Sequence, residues 1–285
     1  MRKKLSLLAC AVLVSGGIAS WAQASPYATE VVAYQGPFGS SPYNDPAAVL
    51  GKPSLQFKNS WGQVPTGRVK LVEPAYNVGL NDEKLITTLN SGSFITVKFD
   101  HKVMDDPHNP FGIDFLVFGN AMFPGSGWVD DSTNMNTYML TGGIWAEDVT
   151  VSVSQDGINW YTYEDGPFGD NAFPTQAYQW DAVNAQWTDN EMDFTKPVDP
   201  ALEGVLVAGG ITAAEAIALY NGSGGGTGFD LAESGFEWIQ YIKVEGYGGE
   251  IDAFADVAPV PVPGAIWLVG AGLLSLAGAG RRRSA

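Results

Sequence analysis

The sequence predicts an all-β protein, built as one β-sandwich with a short helical insertion. Two observations indicate this class. Glycine (35 residues) and proline (17 residues) are frequent, as in proteins whose many short strands are joined by turns. Short segments of alternating apolar and polar residues recur along residues 25–258, whereas helical periodicity is rare.

Alternation places the predicted strands. Val149, Val151 and Val153 alternate with hydroxyl residues, which is typical of a strand with one buried face. Residues 113–118 are almost entirely apolar, as in a central strand covered on both faces. Asp156-Gly157 predicts a hairpin turn between two of the strands. The predicted strands are residues 30–34, 93–99, 113–118, 148–154, 159–163, 238–245 and 251–257.

One helix is predicted, at residues 212–220. Thr212 and Glu215 have the spacing of a capping box, and Asn221-Gly222 is a stop signal. The glycine-rich residues 222–228 that follow lack the Lys-Ser/Thr ending of a phosphate-binding loop. We expect a flexible connector there.

The N-terminus has the three parts of a secretion signal. A basic start is followed by the apolar residues 5–18 and by Ala22-Gln23-Ala24, a small-x-small cleavage pattern. We expect the Sec translocon to export the chain, and signal peptidase to cut between Ala24 and Ser25 and remove residues 1–24. The alternative is an uncleaved membrane anchor, for which the apolar run is short.

The C-terminal residues 259–285 have a stiff Pro-containing start, an apolar helix and a basic end. The apolar residues 265–280 would span about 24 Å as a helix, somewhat less than a bilayer core of about 30 Å. We expect a transmembrane helix with its arginines in the cytoplasm. The flanking residues are Val260, Pro261, Val262 and Pro263 before it, and Arg281, Arg282 and Arg283 after it.

This tail resembles a PEP-CTERM sorting signal in its Val-Pro-x-Pro variant, with Val262 where the name-giving form has Glu. The resemblance implies processing by an exosortase-like membrane enzyme in a Gram-negative bacterium that makes exopolysaccharide. It implies membrane insertion in transit, followed by display at the cell surface or in the extracellular matrix. The alternative is a plain single-pass anchor.

The exported part is strongly acidic. All 31 acidic residues, but only nine of the 15 basic residues, lie between Ser25 and Gly264, so this part has a formal charge of −22. Such a surface repels phosphate backbones, which argues against nucleic acid as a partner. It favours divalent cations or neutral polymers, although solubility alone also explains an acidic coat. The single cysteine, Cys10, lies in the predicted signal.

Several segments between residues 34 and 257 resemble secreted bacterial cell-surface proteins with a galactose-binding, discoidin-like domain. The segments that carry the resemblance are residues 114–121, 149–160, 228–232 and 251–254. The resemblance implies a single jelly-roll-like β-sandwich over residues 25–258.

Acidic and amide side chains near predicted strand ends suggest a calcium site. Calcium takes six to eight oxygen ligands from carboxylates, carbonyls and water. A jelly roll brings early and late strands together, so Asp114, Asn120, Asp230 and Asp252 are the candidate ligands. The alternative is a set of plain acidic loops. His101 and His108 are expected to be exposed loop residues.

Tryptophans in polar surroundings suggest a platform for sugars. Trp128, Trp145, Trp180 and Trp187 have Asn and Gln nearby, and glycans are held by ring faces together with hydrogen bonds. The alternative is that some of these rings belong to the core. Exopolysaccharide is therefore a candidate partner.

No catalytic arrangement is evident. A Gly-x-Ser-x-Gly elbow is absent, and no carboxylate pair stands in an apolar setting that would raise one pKa. We expect a non-enzymatic, exported surface or matrix protein that binds glycan. The alternative is a secreted carbohydrate-active enzyme of the glycoside hydrolase kind.

Overall fold

The computed structural model describes residues 24–58 and 67–257. Ala24 and Ser25 are the first residues of this part, while the rest of the predicted signal and all of the predicted sorting tail lie outside it. The strands are β1 (Glu30–Gln35), β2 (Gln56–Phe57), β3 (Gly67–Arg68), β4 (Thr87–Thr88), β5 (Phe94–Met104), β6 (Phe115–Gly119), β7 (Thr150–Ser154), β8 (Trp160–Thr162), β9 (Tyr178–Asp181), β10 (Gln186–Glu191), β11 (Thr227–Phe229), β12 (Trp238–Glu245) and β13 (Glu250–Asp256).

Two sheets carry the fold. One has five strands in the order β1-β5-β12-β7-β8, and the other has four in the order β11-β6-β13-β4. Neighbouring strands in both sheets are antiparallel. The remaining strands form two small hairpins, β2/β3 and β9/β10. The prediction of an antiparallel all-β fold is confirmed.

The inner faces of the two sheets share one hydrophobic core. Val97, Ile242 and Val153 are paired across the five-stranded sheet, and all three are buried. Their partners from the four-stranded sheet include Val117 and Phe254, which belong to the same cluster. This is the arrangement of a β-sandwich, in which side chains of two facing sheets fill the space between them.

A second core covers the outer face of the four-stranded sheet. Leu116 and Phe118 of β6 alternate with the inward residues and pack against Phe57 of β2 and the loop residue Phe194. These residues come from the segments around the hairpins β2/β3 and β9/β10. Because this face is covered, β6 is buried on both sides, as its continuous apolar sequence predicts.

The helical insertion has its own core. Two short helices, α1 (Glu203–Ala208) and α2 (Ala213–Leu219), pack with loop residues such as Tyr138 and Tyr220. The predicted capping box is confirmed: Glu215 N donates to Thr212 Oγ1 at 3.2 Å, and Thr212 N donates to Glu215 Oε2 at 2.7 Å. Sequence reasoning missed α1.

Two smaller predictions are wrong. The glycine-rich segment is not a flexible connector, because residues 223–227 are buried and a Cβ at Gly225 would press on the Pro174 carbonyl. His101 is not an exposed loop residue: it lies on β5, with its ring nitrogens 2.8 Å from Asp100 Oδ1 and 2.7 Å from Asp256 Oδ2. The hydrogen bond with Asp256 is the main factor that raises the pKa of His101.

Over the described ranges, no helix has both the length and the apolar character that a membrane crossing requires. The predicted transmembrane helix, residues 265–280, lies outside those ranges.

Candidate functional site

An open cleft of about 520 Å³ lies between the β3–β4 segment and the long connection from β6 to β7. Aromatic rings, two glutamates and an asparagine line it. Residues 120–147 form an arm that supplies most of the lining. The polar and aromatic lining residues are Glu73, Tyr76, Asn120, Phe123, Trp128, Tyr138, Trp145 and Glu147.

Backbone hydrogen bonds give the arm a defined shape. Met122 and Trp145 exchange two of them, with N to O distances of 2.9 and 2.8 Å. Farther along, Ser126 N donates to Met139 O at 2.9 Å. The arm is therefore a distorted hairpin, and its pairing holds Trp145 on a fixed stretch of backbone.

The opposite wall is attached to the arm by another backbone bond. Phe123 N donates to Leu71 O at 2.8 Å, which ties the arm to the segment that carries Glu73 and Tyr76. At the tip, the Tyr138 hydroxyl donates to Gly127 O at 2.9 Å, next to Trp128. The Phe123–Leu71 bond thus joins the two walls, whereas the Tyr138–Gly127 bond stabilises the arm itself.

Two of the four predicted glycan-stacking tryptophans line the cleft. Trp128 is 84% exposed and Trp145 is 66% exposed. Large exposed rings cost solvation free energy, and they are common where a partner covers them. The ring faces of Trp128 and Trp145 are available to a ligand.

The other two tryptophans serve packing. Trp180 and Trp187 meet edge to face with their centroids 5.0 Å apart, and both pack against the core around the helices. Trp180 Nε1 donates to Asn136 Oδ1 at 2.8 Å. These two residues do not line the cleft, so the predicted platform is reduced to Trp128 and Trp145.

Glu73 lies at the base of the cleft in an ion pair. Its carboxylate contacts Lys70 Nζ, which also lies 2.9 Å from Asp131 Oδ1. The Lys70 side chain has no exposed surface, so its charge stays behind the cleft wall. Burial raises the pKa of Glu73, an effect that Lys70 opposes.

A cluster of three carboxylates lies at one end of the cleft. Glu147, Asp170 and Glu250 each place an oxygen within 4.8 Å of the others. Asp170 is 2% exposed and accepts hydrogen bonds from Ala121 N (2.7 Å) and Glu250 N (3.0 Å). Burial raises the pKa of Asp170 well above its usual range, and it also raises the pKa of Glu250.

Asn120 adjoins this cluster. Its side-chain amide lies 3.2 Å from Glu250 Oε2 and from Asp170 Oδ2, and donation from the amide nitrogen satisfies both carboxylates. A cation between these groups would be bound through the Asn120 oxygen instead. Asn120 and Glu147 both line the cleft, so the cluster is accessible from it.

Asp114 and Asp230 lie elsewhere, together with Asp105, and their carboxylate oxygens also fall within 4.8 Å of one another. Asp114 is fully buried and accepts three hydrogen bonds, from Asp106 N (3.0 Å), Asn109 Nδ2 (2.9 Å) and Leu231 N (2.8 Å). These bonds explain Asp114 as a clasp between two loops. Burial nevertheless raises its pKa.

Asp252 lies at a third place. It is buried on β13, where Ser54 N and Ser54 Oγ each donate to it at 2.8 Å. Burial raises its pKa to about 7. Asp114 lies before β6 and Asn120 directly after it, so the length of that strand separates them. The four predicted calcium ligands are therefore distributed over three places rather than gathered in one.

Comparison with protein-family models, with curated proteins and with solved structures gives no match for this chain. The cleft is therefore chosen as the candidate site from its geometry and its lining residues alone. Sequence reasoning missed Glu73, Tyr76, Tyr138 and the three clustered carboxylates, because no local pattern marks residues that only the fold brings together.

Calcium binding remains a prediction, and the cluster with Asn120 is the candidate site because Asn120 and Glu147 line the cleft. Calcium at about 1 mM, in the range where extracellular modules bind it, should raise the melting midpoint by about 2–4 °C over protein in chelator. Glu250→Gln should abolish this rise, and Asp230→Asn should retain it. An unchanged midpoint in the unaltered protein would contradict calcium binding, and loss of the rise in Asp230→Asn alone would assign the ion to the Asp114 cluster.

Proposed function

We propose that this chain is a non-enzymatic glycan-binding protein of the bacterial surface or extracellular matrix, and that the glycan binds in the cleft. One observation carries the proposal: two strongly exposed tryptophans open into the same cleft. Exopolysaccharide is the partner that we propose for this cleft.

The lining has the two kinds of group that hold a sugar. The faces of Trp128 and Trp145 suit the apolar faces of pyranose rings, because both surfaces leave water when they stack. Asn120, Glu147 and the Tyr76 hydroxyl offer hydrogen-bonding groups at the edges of the same cleft. An open cleft, rather than a closed cavity, accommodates a segment of a polymer.

We further propose that the sandwich is a jelly roll of the galactose-binding, discoidin-like kind. A jelly roll arranges eight strands in two sheets by way of two Greek keys. The strand orders β4-β13-β6-β11 and β5-β12-β7-β8 support the assignment. In each sheet a late strand, β13 or β12, is inserted between two early strands, and β1 is an additional edge strand.

Export and sorting are part of the same proposal. The N-terminal signal pattern supports passage through the Sec translocon, and the tail pattern supports recognition by an exosortase-like enzyme. The formal charge of −22 between the two segments suits a soluble protein outside the cell. The chain would insert by its tail in transit and then be released to the surface or matrix.

Binding should depend on the two exposed rings. On a glycan array that includes neutral, cationic and anionic oligosaccharides, the mature protein should bind at least one class. Trp128→Ala and Trp145→Ala should each weaken that binding by about tenfold, roughly 1.4 kcal/mol, because each removes a stacking surface. Tyr34→Ala is the matched control, since Tyr34 is 61% exposed on β1 and does not line the cleft.

Binding that both tryptophan variants retain in full would contradict the cleft as the site. Absence of binding to every glycan class would contradict the function itself.

A glycoside hydrolase is the second candidate, and one observation favours it. Glu73 and Glu147 line the same aromatic cleft, and burial raises the pKa of Glu73, as a general acid requires. The ion pair with Lys70 opposes that role. Release of reducing ends from an array-positive oligosaccharide, abolished by Glu73→Gln and by Glu147→Gln, would establish hydrolysis in place of simple binding.

Processing of the ends can be measured by intact mass. The mature protein from cells that express the full chain should begin at Ser25 and should lack the apolar and basic residues after Pro263. A mass that retains Trp267 and the terminal arginines would contradict sorting by cleavage and would indicate a simple anchor.

A further inference from the structure

We propose that the cleft selects glycans that carry free amino groups, and that Glu147 receives the sugar ammonium while Trp145 stacks against the same sugar. The inference rests on the proposed function and names the class of glycan. It follows from the charges around the cleft rather than from its rings alone.

The surface of the cleft has acidic side chains that no basic side chain of the described lining neutralises. Glu73 and Glu147 line it, and among the residues that the structure describes no Lys, Arg or His lines it. Lys70 pairs with Glu73 from behind the wall, where its side chain is fully buried, so it offers no contact to a ligand. An anionic glycan would therefore bring its carboxylates toward glutamates and meet no cation.

The end of the cleft at Glu147 is the more negative one. Glu147 stands beside Asp170 and Glu250, and within residues 24–58 and 67–257 no Lys, Arg or His pairs with any of the three. Charge repulsion from Glu147 contributes to the raised pKa of both neighbours. A cation beside Glu147 relieves that repulsion.

Glu147 and Trp145 suit a sugar that is both a flat ring and a cation. They are two residues apart in the chain, shortly before β7, and both line the cleft. A pyranose stacked on the Trp145 indole therefore brings its substituents near the Glu147 carboxylate. An ammonium substituent gains a charge-assisted hydrogen bond there and adds attraction to the indole face.

Acetylation of the amino group removes this advantage. An N-acetylated sugar has the same ring and retains the stacking surface, but it presents a neutral amide to Glu147. A uronic acid presents a second carboxylate and is repelled. The charge of −22 on the exported part adds a long-range attraction for a polycationic chain, screened beyond about 8 Å at physiological salt.

The test compares oligosaccharides of equal length whose sugars are cationic, neutral or anionic. Titration calorimetry uses the mature protein with hexamers of glucosamine, of N-acetylglucosamine and of galacturonic acid, at about pH 6, where most amino groups of the glucosamine hexamer are protonated. Chelator is present throughout, so that calcium does not occupy the carboxylates. The glucosamine hexamer should bind about tenfold to a hundredfold more tightly than its acetylated form, and added salt should reduce the difference.

Variants separate the inference from the function on which it rests. Glu147→Gln should bring the two hexamers to similar affinity, whereas Glu164→Gln, a change at an exposed glutamate outside the cleft, should leave the preference intact. Trp128→Ala should weaken both hexamers alike. Equal affinity of the unaltered protein for the two hexamers, or a preference that survives Glu147→Gln, would overturn the inference while leaving glycan binding in place. Binding of none of the hexamers, together with a negative glycan array, would overturn both.

Discussion

The cleft depends on the buried carboxylate of Asp170. Its two oxygens accept hydrogen bonds from Ala121 N, where the arm leaves β6, and from Glu250 N, where β13 begins. Gly119 allows the approach, since a Cβ there would overlap the Asp170 side chain. One carboxyl group thus joins the base of the arm to the sheet, and it lies beside Glu147 and Glu250. The member of this cluster whose acidic group lines the cleft is Glu147.

The outer faces of the two sheets differ in how much of their surface is covered by other parts of the protein. The outer face of the four-stranded sheet is covered by loops and hairpins that form a second core. On the five-stranded sheet, the outward residues Lys98, Tyr241 and Trp160 lie in one row across the strands, and Lys98 and Lys243 stand over aromatic rings. Those rings are already occupied by lysines, whereas Trp128 and Trp145 are not. We therefore propose that a ligand binds to the loops of the arm, which the sandwich holds in position, rather than to the face of a sheet.

Much of the sandwich could be predicted because strand alternation is a local property. Period-two patterns predict β5, β7 and β12, and the capping box predicts α2. β5 extends to Met104, beyond the predicted end, because its pairing with β12 shifts register between Lys98 and Val103, around the polar pair Asp100 and His101, and then resumes. β4 and β11 have only two or three residues, too few for a period to be visible.

The site was less predictable, because its residues come together only through contacts between distant parts of the chain. Glu73 and Glu147 are far apart in the chain, and their shared cleft arises from the bond between Phe123 and Leu71 and from the folding of the arm. Trp128 and Trp180 look alike in sequence, yet one is at the tip of the arm and the other lies against the helical core. The sequence therefore predicted four tryptophans for glycan stacking, and only the structure separates the two that line the cleft from the two that pack in the core.

The central claim is that a glycan contacts Trp128 and Trp145 in the cleft. Tryptophan indole N–H signals, assigned by NMR and followed while an array-positive oligosaccharide is added, test it most directly. The account predicts that the Trp128 and Trp145 signals shift with one common affinity, while those of Trp180 and Trp187 stay unchanged. Shifts confined to Trp160 and Trp238, on the outer face of the five-stranded sheet, would contradict it.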